Sequence, residues 1–261
     1  MTVRPKISAF LVCCNEERNI RRALDSIKWC DEIVVIDSGS TDETLSICRE
    51  YTDKIITRQW PGYVEQKRFG LSQCSNEWVF NIDADEEVSS DLRDDVLQVL
   101  SNRNEWAQHI KGYEIPRVVF YLGRWWRKGG WYPEYRLRLV RKDDCEWAGT
   151  DPHERATVNG QVARLKGELL HYTYHDMADH VRSLNSHSSV AAMSMFEKGK
   201  RTSLLKIAFG PPARFIKFFL VRRGFLEGIA GLIVAHFEAY YVFLKYAKLW
   251  ELQRKSNLRQ S

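Results

Sequence analysis

The sequence predicts an α/β fold in which a mostly parallel sheet is flanked by helices and followed by a helical C-terminal extension. Over the first hundred residues, short β-rich apolar runs alternate with segments of helical periodicity. Strands joined by helices of this length pair in parallel through right-handed crossovers. From Asp176 onward the pattern is mostly helical and becomes strongly basic. These observations favour one α/β body with an appended helical region.

The individual elements follow from apolar runs and turn residues. The continuous run Ile7–Cys13 predicts a buried strand, and Asn15 is expected to cap the helix that follows it. That helix carries apolar residues at helical spacing, namely Ile20, Ala23, Leu24 and Ile27. Further predicted elements are strands at Ile33–Ile36, Lys54–Thr57 and Trp78–Ile82 and helices at Thr44–Tyr51, 64–73 and Asp91–Ser101.

The second half of the body has a different pattern. Strands are predicted at Tyr113–Leu122 and Tyr135–Arg141, around a loop rich in Trp, Gly and Arg. The Asn159-Gly160 pair predicts a hairpin between strands near residues 156–159 and 163–172. Three histidines near the start of the helical part are expected on polar helix faces: His175, His180 and His187.

Charge divides the chain into two parts. Residues 198–261 contain 13 Lys and Arg against three Glu, a net charge of +10, whereas residues 1–197 carry −5. The 44% apolar and 28% charged content excludes a disordered or fibrous chain. We therefore predict a domain over residues 1–197, with halves at 1–100 and 101–197, and a separate basic amphipathic region over 198–261.

The basic region predicts contact with a membrane. Aromatic and cationic side chains alternate over residues 203–250, which suits helices that lie in the interface of an anionic membrane surface. The longest candidate for a crossing, Gly224–Leu244, contains Glu227, His236 and Glu238, and central charges oppose insertion. Peripheral attachment is therefore predicted, with an oligomer contact as the alternative. Pro211-Pro212 is expected to separate two helices.

Cysteine usage and the N-terminus indicate a cytoplasmic protein. The six cysteines form no C-x-x-C pair and no Cys/His cluster at zinc spacing, so reduced core residues are expected rather than a disulfide framework. The first apolar stretch is short and is followed by acidic residues, which indicates a strand and not a signal peptide. The cysteines are Cys13, Cys14, Cys30, Cys48, Cys74 and Cys145.

Carboxylates follow two of the predicted buried strands. Asp83 and Asp85 come after Trp78–Ile82, and such a pair can hold a divalent cation that also binds diphosphate oxygens. The alternative is an acidic cluster that stabilises a helix N-terminus. Asp37 can accept hydrogen bonds from a base or ribose, or from its own turn. Because ligands bind beyond the carboxyl ends of parallel strands, Asn15, Asp37 and Asp83 are expected at one edge.

These segments together resemble glycosyltransferase family 2, which has the Rossmann-like GT-A fold. The resemblance rests on four segments in order: Cys14–Glu17, Ile36–Asp42, Gly62 with Gln66–Leu71, and Asn81–Glu86. Two later segments resemble the branch of bacterial lipopolysaccharide inner-core β-1,4-glucosyltransferases: Trp131–Leu139 and Asp151–Glu154. The resemblance then covers nearly the whole chain.

The resemblance implies an inverting, metal-dependent transfer of glucose from UDP-glucose to a hydroxyl of the lipopolysaccharide inner core. Residues 1–100 would bind the nucleotide-sugar and 101–197 the acceptor, at the cytoplasmic side of the bacterial inner membrane. The implied donor-binding residues are Asn15, Glu16, Asp37, Lys67 and Asp83. Asp85 would hold Mn²⁺ or Mg²⁺, and His171 would complete its ligands unless it is simply a packed strand residue.

The base that deprotonates the acceptor is expected to be a carboxylate of the second half. Glu154 is favoured over Asp151, and Glu134 is a weaker candidate; a structural pair of His153 and Glu154 is the alternative.

A run of aromatic and cationic residues predicts an acceptor site. Its members are Trp125, Trp126, Trp131, Arg136 and Arg138. Such a run can bind nucleic acid, but the resemblance favours a phosphorylated saccharide and no nucleic acid partner. Two other functions remain open: a related transferase for another glycolipid or polysaccharide, and a non-catalytic, membrane-associated protein that binds sugar nucleotides.

Overall fold

A computed structural model describes residues 4–102, 109–150 and 153–258. The strands are β1 (Ile7–Cys13), β2 (Glu32–Asp37), β3 (Ile55–Thr57), β4 (Trp78–Asn81), β5 (Glu86–Val88), β6 (Ile110–Tyr121), β7 (Arg124–Trp126), β8 (Glu134–Arg141), β9 (Cys145–Thr150), β10 (His153–Val158), β11 (Gln161–Arg164) and β12 (Leu169–His171). The α-helices are α1 (Ile20–Ile27), α2 (Thr44–Cys48), α3 (Tyr63–Gln73), α4 (Ser90–Ser101), α5 (Met177–Glu197), α6 (Leu204–Ile216) and α7 (Gly228–Leu258). Short 3₁₀-helices cover Lys142–Asp144 and Gly224–Glu227, and a π-helix covers Lys217–Val221.

A ten-stranded sheet organises the fold. Its order is β3-β2-β1-β4-β8-β6-β12-β5, and β7 and β11 also pair with β6. The first four strands are parallel, as predicted, and β8 lies antiparallel to both β4 and β6. Strands β9 and β10 form a separate two-stranded sheet. The parallel strands place their carboxyl ends at one edge, where the predicted donor residues follow.

Alternating side chains of the parallel strands form two cores, because successive residues of a strand point to opposite faces. Ala9 and Leu11 of β1 belong to the larger core, whereas Phe10 belongs to the core on the other face. Helix α1 buries all four of its predicted apolar residues in the larger core. All six cysteines are free thiols, but the prediction that all six are core residues is wrong, because Cys14 is exposed and Cys30 is only partly buried.

The chain divides into two compact units. One consists of Met1–Val118 and Pro133–Tyr172, and the other of Val119–Tyr132 and Thr173–Ser261. The second unit contains α5, α6 and α7, and its core includes Trp126, Phe218 and Val234. Residues 173–197 therefore fall in the same unit as the basic helices. The domain boundary at residue 197 stays a prediction.

Two sequence-based expectations about local structure are wrong. Asn159-Gly160 does not close a hairpin, because β10 pairs with β9 whereas β11 pairs in parallel with β6. Pro211 and Pro212 lie inside α6 and do not end it. The chain turns later, at Arg223 and Gly228, which both have left-handed backbone angles. For Asn159-Gly160, the long-range pairing of β11 with β6 outweighs the local turn signal.

The C-terminal helix is apolar enough to associate with a membrane. Among the described residues, Gly224–Ser256 is long and apolar enough to cross one by length and composition, with a mean hydropathy of 1.2 over its most apolar window. About 22% of that window is buried within the protein.

Candidate active site

The loops after β1 and β2 are tied together at the carboxyl edge of the sheet. Asp37 is fully buried, and its carboxylate accepts hydrogen bonds from the backbone N–H groups of Gly39 (3.0 Å) and Ser40 (3.2 Å). Asn15 has a left-handed backbone, and its side-chain oxygen accepts a hydrogen bond from the Thr41 N–H at 2.8 Å. The structure thus gives Asp37 the turn role that was one of two possibilities.

Asn15 and Glu16 organise the entrance to α1. The prediction that Asn15 caps this helix is wrong, because Asn19 occupies the N-cap position. Glu16 accepts a hydrogen bond from the Asn19 side-chain amide at 3.0 Å, and its N–H donates to the Thr44 hydroxyl at 2.7 Å. The donor-binding roles of Asn15, Glu16 and Asp37 stay predictions.

Asp83 lies just beyond β4 between two cations. Lys67 of α3 and Arg138 of β8 both pair with its carboxylate, and both also donate to the Asn81 side-chain oxygen, at 3.1 and 2.7 Å. Burial opposes ionisation of Asp83, but the charges of Arg138 and Lys67 outweigh it and hold the pKa of Asp83 well below its usual range. Asp83 is therefore an anion whose two oxygens each contact a cation.

A buried carboxylate, Glu86, extends this network. Its Oε1 accepts hydrogen bonds from Arg138 at 2.7 Å and from Arg117 at 3.1 Å, and its Oε2 accepts one from the Asp83 N–H at 2.9 Å. Arg117 also pairs with Glu134 at 2.6 Å, and Glu134 contacts Arg136. Burial opposes ionisation of Glu134, but Arg117 and Arg136 lower its pKa. The network in the first unit thus pairs each carboxylate with at least one cation. Such pairing is needed because an unpaired buried charge is strongly destabilising.

Sequence reasoning missed the roles of Asn81, Glu86 and Arg117 in this network. Their partners come from β4, β6 and β8, which are distant in sequence, so no motif spacing signals the contacts. The sequence of β6 offered a weak indication, because Arg117 is a charged residue directly before the apolar run Val118–Tyr121.

Asp85 and His171 meet beside β5. Strand β12 pairs antiparallel with β5, which places His171 opposite Glu86. The His171 Nε2 lies 3.1 Å from the Asp85 Oδ2. Burial opposes ionisation of Asp85, but the interaction with His171 outweighs it and lowers the pKa of Asp85. Among the described residues, no group of three or more His, Cys, Asp or Glu side chains is arranged to hold a metal ion.

Asp83 and Glu154 line one cavity of about 380 Å³. The other lining residues are Glu114, Arg117, Tyr135, Arg136, Leu137, Arg138, Trp147, Arg155 and Ala156. Burial raises the pKa of Glu154, and its pKa also responds to the charges of Lys67, Asp83 and Arg138. Glu154 is thus a half-buried carboxyl facing the same space as the strand-end aspartate. Asp151, the other predicted base, lies outside the described residues.

Residues 8–200 match the family model described as glycosyl transferase family 2. The chain belongs to this family. The predicted family, the α/β GT-A-type fold and the transferase class are thereby confirmed.

Curated relatives match this glycosyltransferase over nearly its whole length. An uncharacterised glycosyltransferase of Rickettsia typhi is 34% identical, over 96% of this chain and 89% of that protein. The lipopolysaccharide core biosynthesis glycosyltransferase LpsC of Rhizobium meliloti is 32% identical, over 94% of this chain and 92% of LpsC. LpsC confirms the predicted resemblance to lipopolysaccharide core enzymes.

Two solved structures also match this glycosyltransferase. S. aureus TarS has a TM-score of 0.47 at 18% identity, over 71% of this chain and 39% of TarS. Glucosyl-3-phosphoglycerate synthase of Mycobacterium tuberculosis, in complex with Mg²⁺ and UDP, has a TM-score of 0.35 at 26% identity, over 46% of this chain and 44% of that chain.

The predicted acceptor residues of this glycosyltransferase fall in two places. Arg136 and Arg138 line the cavity, but Arg138 is 6% exposed and ion-paired, unlike an open binding residue. Trp126 is fully buried, and its indole N–H donates to the Tyr121 carbonyl at 2.8 Å. Trp131 donates to Glu238 at 3.0 Å, and the Trp125 ring lies 5.0 Å from that of Phe120. The three tryptophans belong to the second unit and the two arginines to the first.

Proposed function

We propose that this glycosyltransferase transfers glucose from UDP-glucose to a hydroxyl group of a lipopolysaccharide inner core, with inversion at the anomeric carbon. The observation that carries the proposal is that one cavity is lined both by Asp83, at the end of a strand, and by the half-buried carboxyl of Glu154. The similarity to LpsC over most of both chains supports the class of acceptor.

Glu154 is the proposed general base. Its carboxylate would accept the proton of the acceptor hydroxyl while that oxygen attacks the anomeric carbon from the side opposite the diphosphate. The bond between the anomeric carbon and the diphosphate oxygen then breaks, and its electron pair leaves with UDP. A base works best when its pKa approaches the working pH, and burial raises the pKa of Glu154 in that direction.

Asp85 and His171 would hold a divalent metal ion. The Asp85 carboxylate would supply an oxygen ligand and the His171 Nε2 a nitrogen ligand, and these two atoms lie 3.1 Å apart. Two protein ligands leave room for diphosphate oxygens. Bound Mn²⁺ or Mg²⁺ would supply positive charge that neutralises the leaving diphosphate.

The remaining donor residues would act at the same edge. Lys67 and Arg138 hold Asp83 in position through ion pairs. Their positive charges would also attract the diphosphate of a donor bound at this edge. The loops after β1 and β2 would bind the nucleotide. The hydrogen bonds of Asp37, Asn15 and Glu16 hold these loops in place. Arg136, whose side chain is 42% exposed at the cavity, is the proposed contact for an anionic group of the acceptor.

The proposal places the protein peripherally at the cytoplasmic side of the bacterial inner membrane. A lipid-linked acceptor requires the enzyme to work at a membrane surface, and the apolar C-terminal helix together with the net charge of +10 over residues 198–261 supports such attachment.

A transfer assay tests the proposal. Full-length protein is incubated with UDP-glucose, Mn²⁺ and deacylated core oligosaccharide from a strain that lacks this gene, and UDP release and product mass are measured. We expect acceptor-dependent UDP release and an oligosaccharide one hexose heavier. UDP binding without transfer to this acceptor or to other glycans would contradict a catalytic role.

A further inference from the structure

We infer that one face of α6 and the turn after it form the surface that inserts into an anionic bilayer. We call this surface the α6 edge; it consists of Leu205, Phe209, Ile216, Leu220, Val221, Phe225, Leu226 and Ile229. The inference rests on the proposed function, because it specifies the membrane contact of an enzyme with a lipid-linked acceptor.

Helix α6 has an inner and an outer face. On the inner face, Arg214 pairs with Glu238 of α7 at 2.8 Å, and the Phe215 ring lies 4.9 Å from His236. The outer face carries Leu205, Phe209 and Ile216 at helical spacing, with exposed fractions of 68%, 65% and 49%. Within Leu204–Ile216, all of which the structure describes, no residue is buried. The apolar face of this amphipathic helix therefore points away from its own protein.

The turn after α6 continues the apolar surface. Leu220 and Val221 are 55% and 72% exposed, and Phe225, Leu226 and Ile229 follow at 46%, 55% and 80%. Phe218, which precedes them in the chain, is buried against Trp126 and Trp131, and this contact anchors the turn to its own unit. A contiguous apolar patch on a soluble protein usually marks a site of interaction.

Charge identifies the partner as an anionic bilayer. Residues 198–226 contain eight Lys and Arg and no Asp or Glu. The nearby carboxylates are already paired within the unit: Glu227 with Arg124 at 3.0 Å and Glu238 with Arg214. An apolar strip with positive charge at its sides complements acyl chains below anionic headgroups. A second copy of the same surface would bring like charges together, which disfavours a symmetric dimer.

The interactions of α7 favour attachment from one side over a crossing. Glu238, near the middle of α7, binds both Arg214 and Trp131, and Lys248 donates to the Asn185 carbonyl at 2.6 Å and to the Ser188 hydroxyl at 2.8 Å. A crossing α7 would carry these polar partners into the hydrocarbon core, which is costly. Insertion of the α6 edge leaves them undisturbed.

Vesicle flotation tests the inference. Full-length protein is mixed with phosphatidylcholine vesicles that contain or lack phosphatidylglycerol, at 0.15 M and 1 M salt. We expect flotation with anionic vesicles at low salt and at least tenfold weaker binding to neutral vesicles. Salt should weaken binding because the screening length falls from about 8 Å to about 3 Å.

Substitutions at the α6 edge provide the decisive comparison. The triple variant Leu205→Glu, Phe209→Glu and Ile216→Glu should lose at least tenfold in binding to anionic vesicles. The matched control is Val162→Glu on β11, where an apolar side chain is 43% exposed outside the edge, and it should float like the parent. Thermal melting and UDP binding verify the fold of each variant.

Equal flotation of the triple variant and the control would overturn the inference, as would a parent protein that ignores all vesicles. If the triple variant instead changes only the sedimentation state, the edge is an oligomer contact. Transfer to a deacylated acceptor should persist in the triple variant, so a failure of the membrane inference is distinct from a failure of the proposed function.

Discussion

At the scale of single residues, the candidate site shifts the pKa values of two carboxyl groups in opposite directions. Burial raises the pKa of Glu154 by more than the charges of Lys67 and Arg138 lower it. Asp83 pairs directly with both cations, and they hold its pKa low despite burial. Groups in one cavity with pKa values shifted in opposite directions suit different roles. A proton acceptor and a permanently charged anchor are the roles proposed here.

Glu154→Gln should reduce kcat by about 10²–10⁴-fold, the usual loss for a general base. The parent should also lose kcat/KM as the pH falls through the raised pKa of Glu154, because protonation removes the base. That decline should be absent from the residual activity of the variant. Glu114→Gln is the control, since Glu114 lines the same cavity and pairs with Arg164. An unchanged pH profile in Glu154→Gln would reject this base.

Asp85→Asn should abolish metal-dependent transfer, because the amide removes the charge that pairs with the ion. In the parent, EDTA should stop transfer and added Mn²⁺ should restore it. Mn²⁺ binding measured by electron paramagnetic resonance should weaken in Asp85→Asn and in His171→Ala, while circular dichroism stays unchanged. Full activity of the parent in EDTA would exclude the metal assignment.

At the scale of elements, a few contacts hold the site's strands and helices in place. Arg138 connects β8 to the end of β4 through Asn81 and Asp83, and it neutralises Glu86, which is fully buried. Gly70 allows α3 to approach β1, which brings Lys67 to the same edge. The geometry of the candidate site therefore depends on packing between elements as well as on its own side chains.

Arg138→Met should lower the free energy of unfolding by about 3–5 kcal/mol, because it removes one cation from Asp83 and leaves the fully buried Glu86 with the longer contact to Arg117. Asp83 has a lowered pKa, so its contribution to stability is present above the usual carboxyl pKa and is lost as the pH falls through the lowered value. Without Arg138 the pKa of Asp83 rises, and acid unfolding should begin at higher pH. Urea titrations from pH 3 to pH 8 measure both effects; Arg164→Met, at an exposed pair, is the control.

Gly70→Ala should destabilise the protein by about 1–3 kcal/mol, as overpacking of a core typically does. A Cβ atom on Gly70 would lie 2.5 Å from the Phe10 ring, which is itself fully buried in β1. The exposed Ser72→Ala change on the same helix is the control and should leave stability nearly unchanged. Urea unfolding decides the comparison, and equal midpoints would mean that α3 can move away from β1.

At the scale of the whole molecule, an acidic body of net charge −5 and a basic region of net charge +10 share one chain. This distribution suits an enzyme that attaches to an anionic surface through its basic part, since like charges on its body oppose non-productive contact. The attachment proposed here is reversible, because it uses partial insertion and surface charge instead of a crossing helix.

Alkaline carbonate extraction of cell membranes should release the full-length protein into the soluble fraction. One-sided attachment through the α6 edge is weakened by high pH, whereas a membrane-spanning helix resists it. Immunoblots of pellet and supernatant, with a known integral membrane protein as the control, measure the outcome. Retention in the pellet would indicate that Gly224–Ser256 crosses the bilayer.

Local sequence patterns are enough to predict the parallel half of the sheet, the four apolar residues of α1 and the carboxylates beyond β4. Each of these depends on a local period or a short ordered motif, so neighbouring residues contain the whole signal. The family followed from the order of such motifs, and the matching family model confirms it.

Three features became known only from the folded structure: the pairing of β11 with β6, the continuation of α6 through Pro211 and Pro212, and the environment of His180. This histidine was expected on a polar face, yet it is 2% exposed, 3.0 Å from the Tyr121 hydroxyl, and burial lowers its pKa to about 4. Helical spacing reveals which residues share a face, but not which other element covers that face. Contacts between residues far apart in sequence supply that information, and they exist only once the chain has folded.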